Sequence, residues 1–374
     1  MKSLLFQIII VLACFNLYLN TFQTSFFKEI NKEYIKKNVV VSPLSAYQVL
    51  SLTSNGANGN TLQQMVSTLS SNALDRLNIN NFQILKAFKN FTSLEIANAV
   101  MTAFNPERNF VDMSLAYDAT VGPLVSVDQV NQWCNEKTHG KITKILDNFP
   151  ANTVMVLLNA IYFKGLWKKE FNPKLTRKAD FYNYGDKNSV AKVDMMYIKD
   201  TFSYYEDKNV QIINIPFKKD SVSALILLPR ENNINDFLAD LNDEKLNNYI
   251  RKMFFEKVEL KLPKFELEFS AQLNTALQNL GMKDAFNEGT ADFSKMKKQN
   301  DIYIGKVLQK AYLKIDETGA EAAAVTSVIM VTKSAGPMFR EKRMVVDRPF
   351  IMMLRSSQLL KDNDVLFTAK IETL

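Results

Sequence analysis

The sequence predicts one large domain of the α+β class. Its 374 residues are 47% apolar, which is enough to build a substantial hydrophobic core. Apolar residues recur at helical spacing near the N-terminus, whereas branched and aromatic residues fill several short runs from about residue 98 onward. Neither an internal repeat nor a linker rich in Gly, Ser or Pro divides the chain. Helices and strands are therefore expected to share one continuous domain.

The beginning of the chain has the composition of a secretory signal. Lys2 precedes an uncharged run over residues 3–15 that is too short to cross a bilayer as a helix. We expect residues 1–19 to be a cleaved signal peptide and residues 20–374 to form a secreted, extracellular domain. The alternative is an intracellular protein that keeps this stretch as a core helix. Export would make Asn90, in an Asn-Phe-Thr sequon, a candidate glycosylation site.

Two helices and a strand are predicted to open the domain. Apolar residues at helical spacing predict an amphipathic helix over residues 22–30, and three valines at 39–41 are typical of a short buried strand. Ser42 is a suitable N-cap and Pro43 a suitable first-turn residue for a second helix, which we expect to run towards Ser54.

Longer strands follow in the middle of the chain. The branched and aromatic runs that predict them are Val154–Phe163, Val210–Ile215, Ser223–Leu228 and Val258–Phe269. In the last run the apolar residues occupy even positions before Pro263 and odd positions after Lys264. Because side chains alternate strictly along a strand, this change of parity predicts a bulge or a kink at Pro263-Lys264.

The residue counts exclude most catalytic chemistry. One histidine, His139, and two cysteines, Cys14 and Cys134, cannot supply a zinc site with several His and Cys ligands. The 11 glycines form neither of the common phosphate-binding motifs. Buried packing of Cys134 and a helix-end position for His139 are favoured over a catalytic thiol–imidazole pair. We therefore expect no enzymatic activity, no metal and no cofactor.

The charges do not point to a nucleic-acid or membrane partner. The net charge is +7, but Lys+Arg 46 and Asp+Glu 39 are mixed along the chain. No other apolar run is long enough to span a bilayer. Three groups of basic residues are interpreted as solvated surface, with binding of a sulfated polysaccharide as the alternative; they are Lys164/Lys168/Lys169, Lys174/Arg177/Lys178 and Lys295/Lys297/Lys298.

The segment from residue 311 to 346 does not match an ordinary helix or strand. An alternating strand over residues 311–315 leads into an Asp-Glu-Thr-Gly turn, and a run of small residues follows. As a helix this run lacks an apolar anchor, and as a strand it presents on one face only Ala320, Ala322, Ala324 and Thr326. The turn formers and charges further on predict a long exposed loop, and such loops are usually functional.

Motifs spread over the chain resemble those of one protein family. They follow the family's order from about residue 22 to the C-terminus and are Asn38–Ser45, Gly56–Thr61, Asn131–Trp133, Thr138–Ile142, Asn159–Trp167, Leu262–Phe265, Leu280-Gly281, Ala291–Ser294 and Asp347–Phe350. The sequence resembles the serpins. By this resemblance it is expected to be an extracellular, invertebrate-like and inhibitory member that acts as a monomer.

The resemblance implies a fold and a mechanism. The fold has three β-sheets, about eight or nine helices and an exposed reactive loop, here at about residues 317–346. In inhibitory serpins a serine protease attacks the loop and forms an acyl-enzyme, and the cut loop then enters the main sheet as a new strand. The protease is distorted before water can release it, so the inhibitor acts as a suicide substrate.

Counting along the loop gives the bond that the protease is expected to cut. In the family this residue usually lies fourteen positions after the hinge glycine, which from Gly319 is Lys333, followed by Ser334. A lysine suits a trypsin-like protease, whose specificity pocket carries a carboxylate. Arg340 and Arg343 are rivals in the same loop, and a shifted register to Thr332 or Met330 would indicate an elastase-like or chymotrypsin-like protease instead.

The resemblance also assigns residues that control loop insertion. The hinge comprises Glu317, Gly319, Ala320, Glu321, Ala322, Ala323, Ala324, Val325 and Thr326, and its inward face lacks the charged or bulky residues that would block entry. The sheet-opening region comprises Ser42, Ser45, Asn159 and Gln309, where relatives commonly carry a histidine in place of Gln309. Lys264 and Glu317 are expected to form an ion pair. The alternative function is a non-inhibitory serpin that acts as a carrier or interaction protein.

Overall fold

The computed structural model describes residues 22–89, 91, 93–150, 152–219, 221–231, 233–320, 341–357 and 364–374. The α-helices of this part of the chain are α1 (residues 22–33), α2 (Pro43–Ser54), α3 (Gly59–Thr68), α4 (Leu74–Phe88), α5 (Arg108–Ala116), α6 (Val127–Lys137), α7 (Ile234–Asp240), α8 (Asp243–Arg251) and α9 (Asn274–Asn279). Their number agrees with the eight or nine helices expected from the resemblance.

The strands of the described residues form three sheets. They are β1 (Val39–Val41), β2 (Leu94–Thr102), β3 (Thr120–Pro123), β4 (Met155–Phe163), β5 (Gly165–Leu166), β6 (Arg177–Tyr182), β7 (Val190–Glu206), β8 (Val210–Pro216), β9 (Val222–Pro229), β10 (Phe254–Pro263), β11 (Phe265–Gln272), β12 (Lys306–Ile315), β13 (Gly319–Ala320), β14 (Lys342–Val345), β15 (Phe350–Ser356) and β16 (Asp364–Ile371). The α+β class and the three sheets are confirmed.

A nine-stranded sheet forms one half of the fold. Its order is β1-β16-β15-β9-β8-β7-β10-β14, and β6 pairs with β7 beside this path. The predicted strands at Val210–Ile215 and Ser223–Leu228 are the adjacent antiparallel strands β8 and β9. Nearly every residue of β9 is buried, which explains its almost uninterrupted apolar sequence.

The five-stranded sheet carries the region of interest. Its order is β11-β12-β4-β2-β3, in which β4 pairs antiparallel with β2 and parallel with β12. Both faces of β4 are covered. Its odd-numbered residues, such as Leu157 and Ile161, belong to the main core, and its even-numbered residues, such as Leu158 and Tyr162, belong to a second cluster that includes Cys134 of α6.

Helix α2 runs through the core behind this sheet. Ser42 caps it, because the Ser42 Oγ accepts a hydrogen bond of 3.1 Å from the backbone N–H of Ser45, and Pro43 occupies the first turn. All of its residues are buried, against β2, β4 and β16. The helix predicted from Ser42-Pro43 is confirmed, and it ends at Ser54 as expected.

The predicted kink at Pro263-Lys264 is confirmed and is larger than a bulge. Strand β10 ends at Pro263, where it pairs with Met195 of β7, and β11 begins at Phe265, where it pairs with Ile315 of β12. The two strands therefore belong to different sheets. Lys264 lies at the crossing, and its backbone N–H donates to the carbonyl of Asp194 over 2.8 Å. The parity change in the sequence marks the residue at which the chain passes between the sheets.

Two further observations concern membranes and metal ions. Among the described residues, no helix is long and apolar enough to cross a membrane. The same part of the chain contains no group of three or more His, Cys, Asp or Glu side chains arranged to hold a metal ion.

Candidate functional site: the opening between strands β4 and β12

The ladder between β4 and β12 ends before β12 does. Parallel pairing runs from Val156–Lys306 to Tyr162–Tyr312, and the rings of the two tyrosines lie 5.8 Å apart. Strand β12 then continues to Ile315, where it pairs with β11. The two strands therefore separate at this end of the sheet, and the chain leaves β12 beside the opening.

A tight turn follows β12. The Asp316 carboxylate accepts hydrogen bonds from the backbone N–H groups of Thr318 (2.9 Å) and Gly319 (3.1 Å) and from the Thr318 hydroxyl (2.7 Å). The turn closes with a bond of 2.8 Å from the Asp316 N–H to the Gly319 carbonyl. Strand β13 then pairs antiparallel with β5. The first residues of the predicted hinge are thus held against the segment that follows β4.

Gly319 is required by the close approach of these two segments. Its φ of +143° lies in the region that favours glycine. A Cβ at this position would come within 2.8 Å of both the Leu166 Cα and the Trp167 backbone N. These are backbone atoms, which cannot rotate away, so a side chain at residue 319 would push β13 off β5.

Trp167 holds the turn after β12 in place through two hydrogen bonds. The indole is fully buried and stacks on Phe217 with ring centroids 4.2 Å apart. Its Nε1–H donates to the Asp316 carbonyl over 2.9 Å, and its backbone N–H donates to the Thr318 carbonyl over 2.9 Å. The rigid indole therefore fixes the path of the chain as it leaves β12.

The predicted partners Lys264 and Glu317 lie in contact. Lys264 Nζ is 2.8 Å from Glu317 Oε2, and the Thr176 hydroxyl donates to Glu317 Oε1 over 2.7 Å. Burial alone would raise the pKa of the Glu317 carboxyl, but the hydrogen bonds from Lys264 and Thr176 outweigh burial and the pKa is lowered. The bond to Glu317 raises the pKa of Lys264. The pair ties the crossing point between the sheets to the turn after β12.

The four predicted sheet-opening residues form one buried network. Gln309 and Asn159 face each other in the β12–β4 register, and the Gln309 Nε2 donates to the Asn159 Oδ1 over 2.5 Å. Gln309 also bonds the backbone of Ser42 twice, accepting from its N–H (2.8 Å) and donating to its carbonyl (2.9 Å). Asn159 in turn donates to the Ser45 hydroxyl. Gln309 therefore uses both its donor and its acceptor here.

Two members of this network were not predicted. Asn98 of β2 pairs with Asn159 in register and accepts from its Nδ2 over 2.5 Å. The carbonyl of Leu366 accepts from the Ser42 hydroxyl over 2.6 Å. The sequence could have indicated Asn98, because it is the lone amide in the apolar run of β2. It could not have indicated the Leu366 carbonyl, because a backbone carbonyl of a distant strand leaves no mark in the residue pattern.

The connection between α6 and β4 lies against β12. Lys306 Nζ donates to the Asn148 carbonyl over 2.9 Å, and Lys310 Nζ bonds the Lys144 carbonyl and the Glu268 carboxylate. Both lysines belong to the strand that borders the opening. Any strand that entered between β4 and β12 would have to move this connection.

Several predicted site residues lie outside the described part of the chain. These are the reactive bond Lys333–Ser334, the hinge beyond Ala320, the rivals Met330, Thr332 and Arg340, and the sequon residue Asn90. Their assignments remain predictions.

The predicted C-terminal limit of the loop is wrong. Residues 342–345 form strand β14, which completes the edge of the nine-stranded sheet by pairing parallel with β10, and Arg343 faces Glu259 in this register. A residue bound in a sheet cannot extend into a protease cleft, so Arg343 is not a rival for the cleaved residue. Sequence reasoning missed this strand because its charged residues are typical of loops.

The end of the loop is fixed by charge pairs. Glu341 is 2.8 Å from Lys199, and Lys342 is 3.0 Å from Glu206. These bonds join the strand after the loop to β7. The chain is therefore held on both sides of residues 321–340, by the turn at Asp316 on one side and by these ion pairs on the other.

Cys134 and His139 have separate structural roles. Burial of the Cys134 thiol raises its pKa to about 12, which disfavours the nucleophilic thiolate. His139 is exposed, and its Nε2 lies 3.0 Å from the Glu95 carboxylate. These surroundings agree with the packing and helix-end interpretations.

The three basic groups remain at the surface, and several members are paired. Lys169 is 2.7 Å from Asp200, Lys178 is 3.0 Å from Asp194 and Lys297 is 2.6 Å from Asp301. Neutralising carboxylates weaken the attraction of a polyanion. This favours solvated surface over a polysaccharide site for these groups.

A histidine at position 309 is expected to make the stability pH-dependent. The wild-type network does not titrate, whereas a buried neutral imidazole in Gln309→His would have a pKa below that of the unfolded chain, near 6.5. Stability would then be full above about pH 6.5 and fall below it, by up to about 1.4 kcal/mol per pH unit. Urea unfolding from about pH 5 to 8 measures this. Equal pH profiles for Gln309→His and wild type would contradict the role of the network, and His139→Gln controls for the natural histidine.

Removal of the Glu317 charge is expected to destabilise the protein fully above about pH 4.5 and progressively less below it. Because the folded-state pKa of Glu317 is lowered, its contribution is present above the unfolded value and is lost as the pH falls through the folded value. We expect Glu317→Gln to lower the free energy of unfolding by about 1 kcal/mol at neutral pH, with the difference shrinking in acid. Denaturant unfolding across this range tests it. Glu259→Gln, at a looser pair of 3.8 Å, is the matched control and should change less.

Comparisons with known proteins agree with this geometry. A family model described as Serpin (serine protease inhibitor) matches residues 18–373. The leukocyte elastase inhibitor of Xenopus laevis is 34% identical over 355 residues, covering 88% of this chain and 92% of that protein. Vertebrate, archaeal and tick proteins are all among the relatives, so the expected invertebrate-like type is not confirmed.

Solved structures show the same fold. The native state of tengpin, a thermophilic serpin, superimposes with a TM-score of 0.86 at 30% identity and covers 96% of this chain and 94% of its own. Human thyroxine-binding globulin complexed with thyroxine gives a TM-score of 0.86 at 26% identity, covering 95% and 97%. The match along almost the whole chain, in sequence and in fold, shows that this protein belongs to the serpin family of serine protease inhibitors.

Proposed function

We propose that this serpin is a secreted, monomeric suicide inhibitor of a trypsin-like serine protease, which it traps through Lys333–Ser334. The observation that carries the proposal is the direct parallel pairing of β4 with β12, which opens beside the start of the loop. A chain that leaves the end of β12 and folds back would run antiparallel to both strands. The opening therefore has the direction and the position that an inserting strand needs.

The residues of the hinge support insertion. Gly319 allows the sharp approach to β5, and the small side chains at alternate positions from 320 to 326 would meet little steric resistance inside the sheet. The hydrogen bond between Gln309 and Asn159 links β12 to β4 before the loop is cut, and the Lys264–Glu317 pair holds the turn after β12 in place. Both contacts would have to break, and the covering apolar layers would have to shift, for the loop to enter.

The chemical step uses the protease's own mechanism. The serine hydroxyl of the protease attacks the carbonyl carbon of Lys333, the bond to the nitrogen of Ser334 breaks, and the new amine of Ser334 takes up a proton as it leaves. The protease is then an ester of Lys333. Insertion of residues 320–333 would carry it across the inhibitor before water attacks the ester.

The proposal that the protein is secreted rests on its N-terminal sequence, where one lysine precedes a short uncharged apolar run. N-terminal sequencing of protein recovered from the medium of producing cells would test it. A mature N-terminus near residue 20 is expected, and recovery of the uncleaved chain inside the cells would instead favour the intracellular alternative.

A complex with trypsin is the direct test of inhibition. Near-equimolar trypsin should yield a complex that survives denaturing electrophoresis, and mass spectrometry should find a released peptide spanning residues 334–374. Lys333→Leu should abolish the complex with trypsin, because the S1 carboxylate loses its partner. A released peptide of another mass would place the cleaved bond elsewhere in the loop and would indicate a different class of protease. Cleavage without a complex by trypsin-like, elastase-like and chymotrypsin-like enzymes would favour the carrier function instead.

A matched pair of hinge variants separates inhibition from cleavage. Ala324→Glu places a charge on the face predicted to enter the sheet, whereas Ala323→Glu places the same charge on the opposite face, which already carries Glu321, and neither variant adds a trypsin site. We expect Ala324→Glu to be cut by trypsin without forming a complex, because burying an unpaired carboxylate opposes insertion. Ala323→Glu should still form the complex. Equal complex yields from the two variants would overturn the predicted orientation of the hinge.

A further inference from the structure

Two neighbouring phenylalanines protrude from the start of β10. Phe254 is 71% exposed and Phe255 is 82% exposed, although consecutive residues of a strand point to opposite sides. They follow the end of α8, and their strand partners on β7 are Tyr204 and Ser203. Aromatic side chains normally supply much of the buried surface of a protein, so an adjacent pair left in water indicates a surface that is covered by something else.

A cavity of about 550 Å³ adjoins this pair. Ser203, the strand partner of Phe255, and Met253, the residue before Phe254, both line it. The cavity lies between the end of α8, the turn from β8 to β9 and the end of β15. Phe255 shares the face of Met253 and Ser203 and therefore stands at the border of the cavity, while Phe254 projects from the other face of the same strand end.

The cavity is basic. Lys168, Lys218, Lys219 and Arg355 line it together with five serines, and its described lining residues include no carboxylate. Arg355 is only 7% exposed, so one of the four cations is built into the wall, and it lies where the register between β15 and β16 shifts. Serine hydroxyls and cationic side chains are the groups that bind a phosphate ester.

More cations flank the phenylalanines themselves. Arg251 and Lys252, at the end of α8, are exposed. The surface formed by Phe254, Phe255, the cavity and these two cations is named here the α8–β10 surface. It combines apolar side chains that can enter a hydrocarbon phase with cations at the end of α8 and in the cavity, and with one partly exposed carboxylate, Glu256, next to Phe255.

We propose that the α8–β10 surface docks on the anionic face of a phospholipid membrane. The two phenyl rings would enter the interfacial region, which removes their apolar area from water, while the cations attract the anionic headgroups and the cavity receives one phosphate. Charge complementarity selects an anionic bilayer. A sulfated polysaccharide would match the cations but offers no apolar phase for Phe254 and Phe255. A soluble phosphate ester also does not explain why these two side chains are exposed.

This proposal differs from the sequence-based expectation of no membrane partner. That expectation rested on the absence of a spanning segment, whereas the exposure of Phe254 and Phe255 is a property of the folded chain. It is also independent of the reactive loop and of the protease that the loop traps.

Vesicle binding tests the proposal. Full-length protein should co-sediment with vesicles of phosphatidylcholine and phosphatidylserine, far less with phosphatidylcholine alone, and less in high salt. Two double variants, Phe254→Ser/Phe255→Ser and Lys218→Glu/Lys219→Glu, should each lower the affinity for the mixed vesicles at least about tenfold. Both should still form the trypsin complex in the absence of lipid, which separates this proposal from the inhibitory function.

Matched controls come from the same chain. Leu115 is 72% exposed elsewhere on the surface, and Leu115→Ser removes a comparably exposed apolar residue. Lys36→Glu/Lys37→Glu reverses another adjacent, exposed pair of lysines. Neither should change vesicle binding by more than about twofold. Circular dichroism and thermal unfolding would verify that all variants fold.

Three results would overturn the proposal. The first is no binding to the mixed vesicles at low salt. The second is binding that the control variants weaken as much as the α8–β10 variants, since this would indicate attraction by net charge alone. The third is retention on immobilised heparin that depends on Lys218 and Lys219 without vesicle binding, which would make the occupant a polysaccharide.

Discussion

The direct contact between β4 and β12 is the constraint on which the rest of the structure depends. Two parallel strands share one ladder of hydrogen bonds along the middle of the sheet and separate beyond Tyr162 and Tyr312. Both faces of β4 are covered, by the main core on one side and by the cluster under α6 on the other. This covering means that the contact cannot open without moving the layers above and below it.

Polar contacts hold β12 at three positions along its length. Gln309 bonds Asn159 of β4 at mid-ladder, the lysines of β12 bond the connection from α6, and the Lys264–Glu317 pair holds the turn after the strand. The buried amides contribute most through geometry, since a buried amide without a partner costs about 1–3 kcal/mol. The Lys264–Glu317 pair contributes less, because Lys264 is partly exposed and water solvates it when the pair breaks. The strongest restraint is therefore at the middle of the ladder and the weakest at the end that opens.

Local sequence patterns predicted the elements well and the contacts between distant residues poorly. Ser42-Pro43 located the start of α2, and the parity change located the crossing at Lys264, because both signals arise within a few residues. The roles of Asn159, Gln309 and Glu317 came from family motifs. Asn98, Thr176 and the Leu366 carbonyl join the site only through folding, across 61 to 324 positions of the chain. The strand at Arg343 was missed because its charges pair with another strand.

The single ladder between β4 and β12 has a consequence for how long the protein persists. A returning strand placed between them would exchange that one parallel ladder for two antiparallel ladders, so a more completely bonded arrangement of the same chain is available. If the loop inserts as proposed, the described structure would be preserved by an activation barrier and not by being the state of lowest free energy. Its persistence would then be measured as a half-life, which depends on how often thermal motion separates the two strands. The rate of that conversion would then be measured separately from denaturant unfolding, which compares the described structure with the unfolded chain.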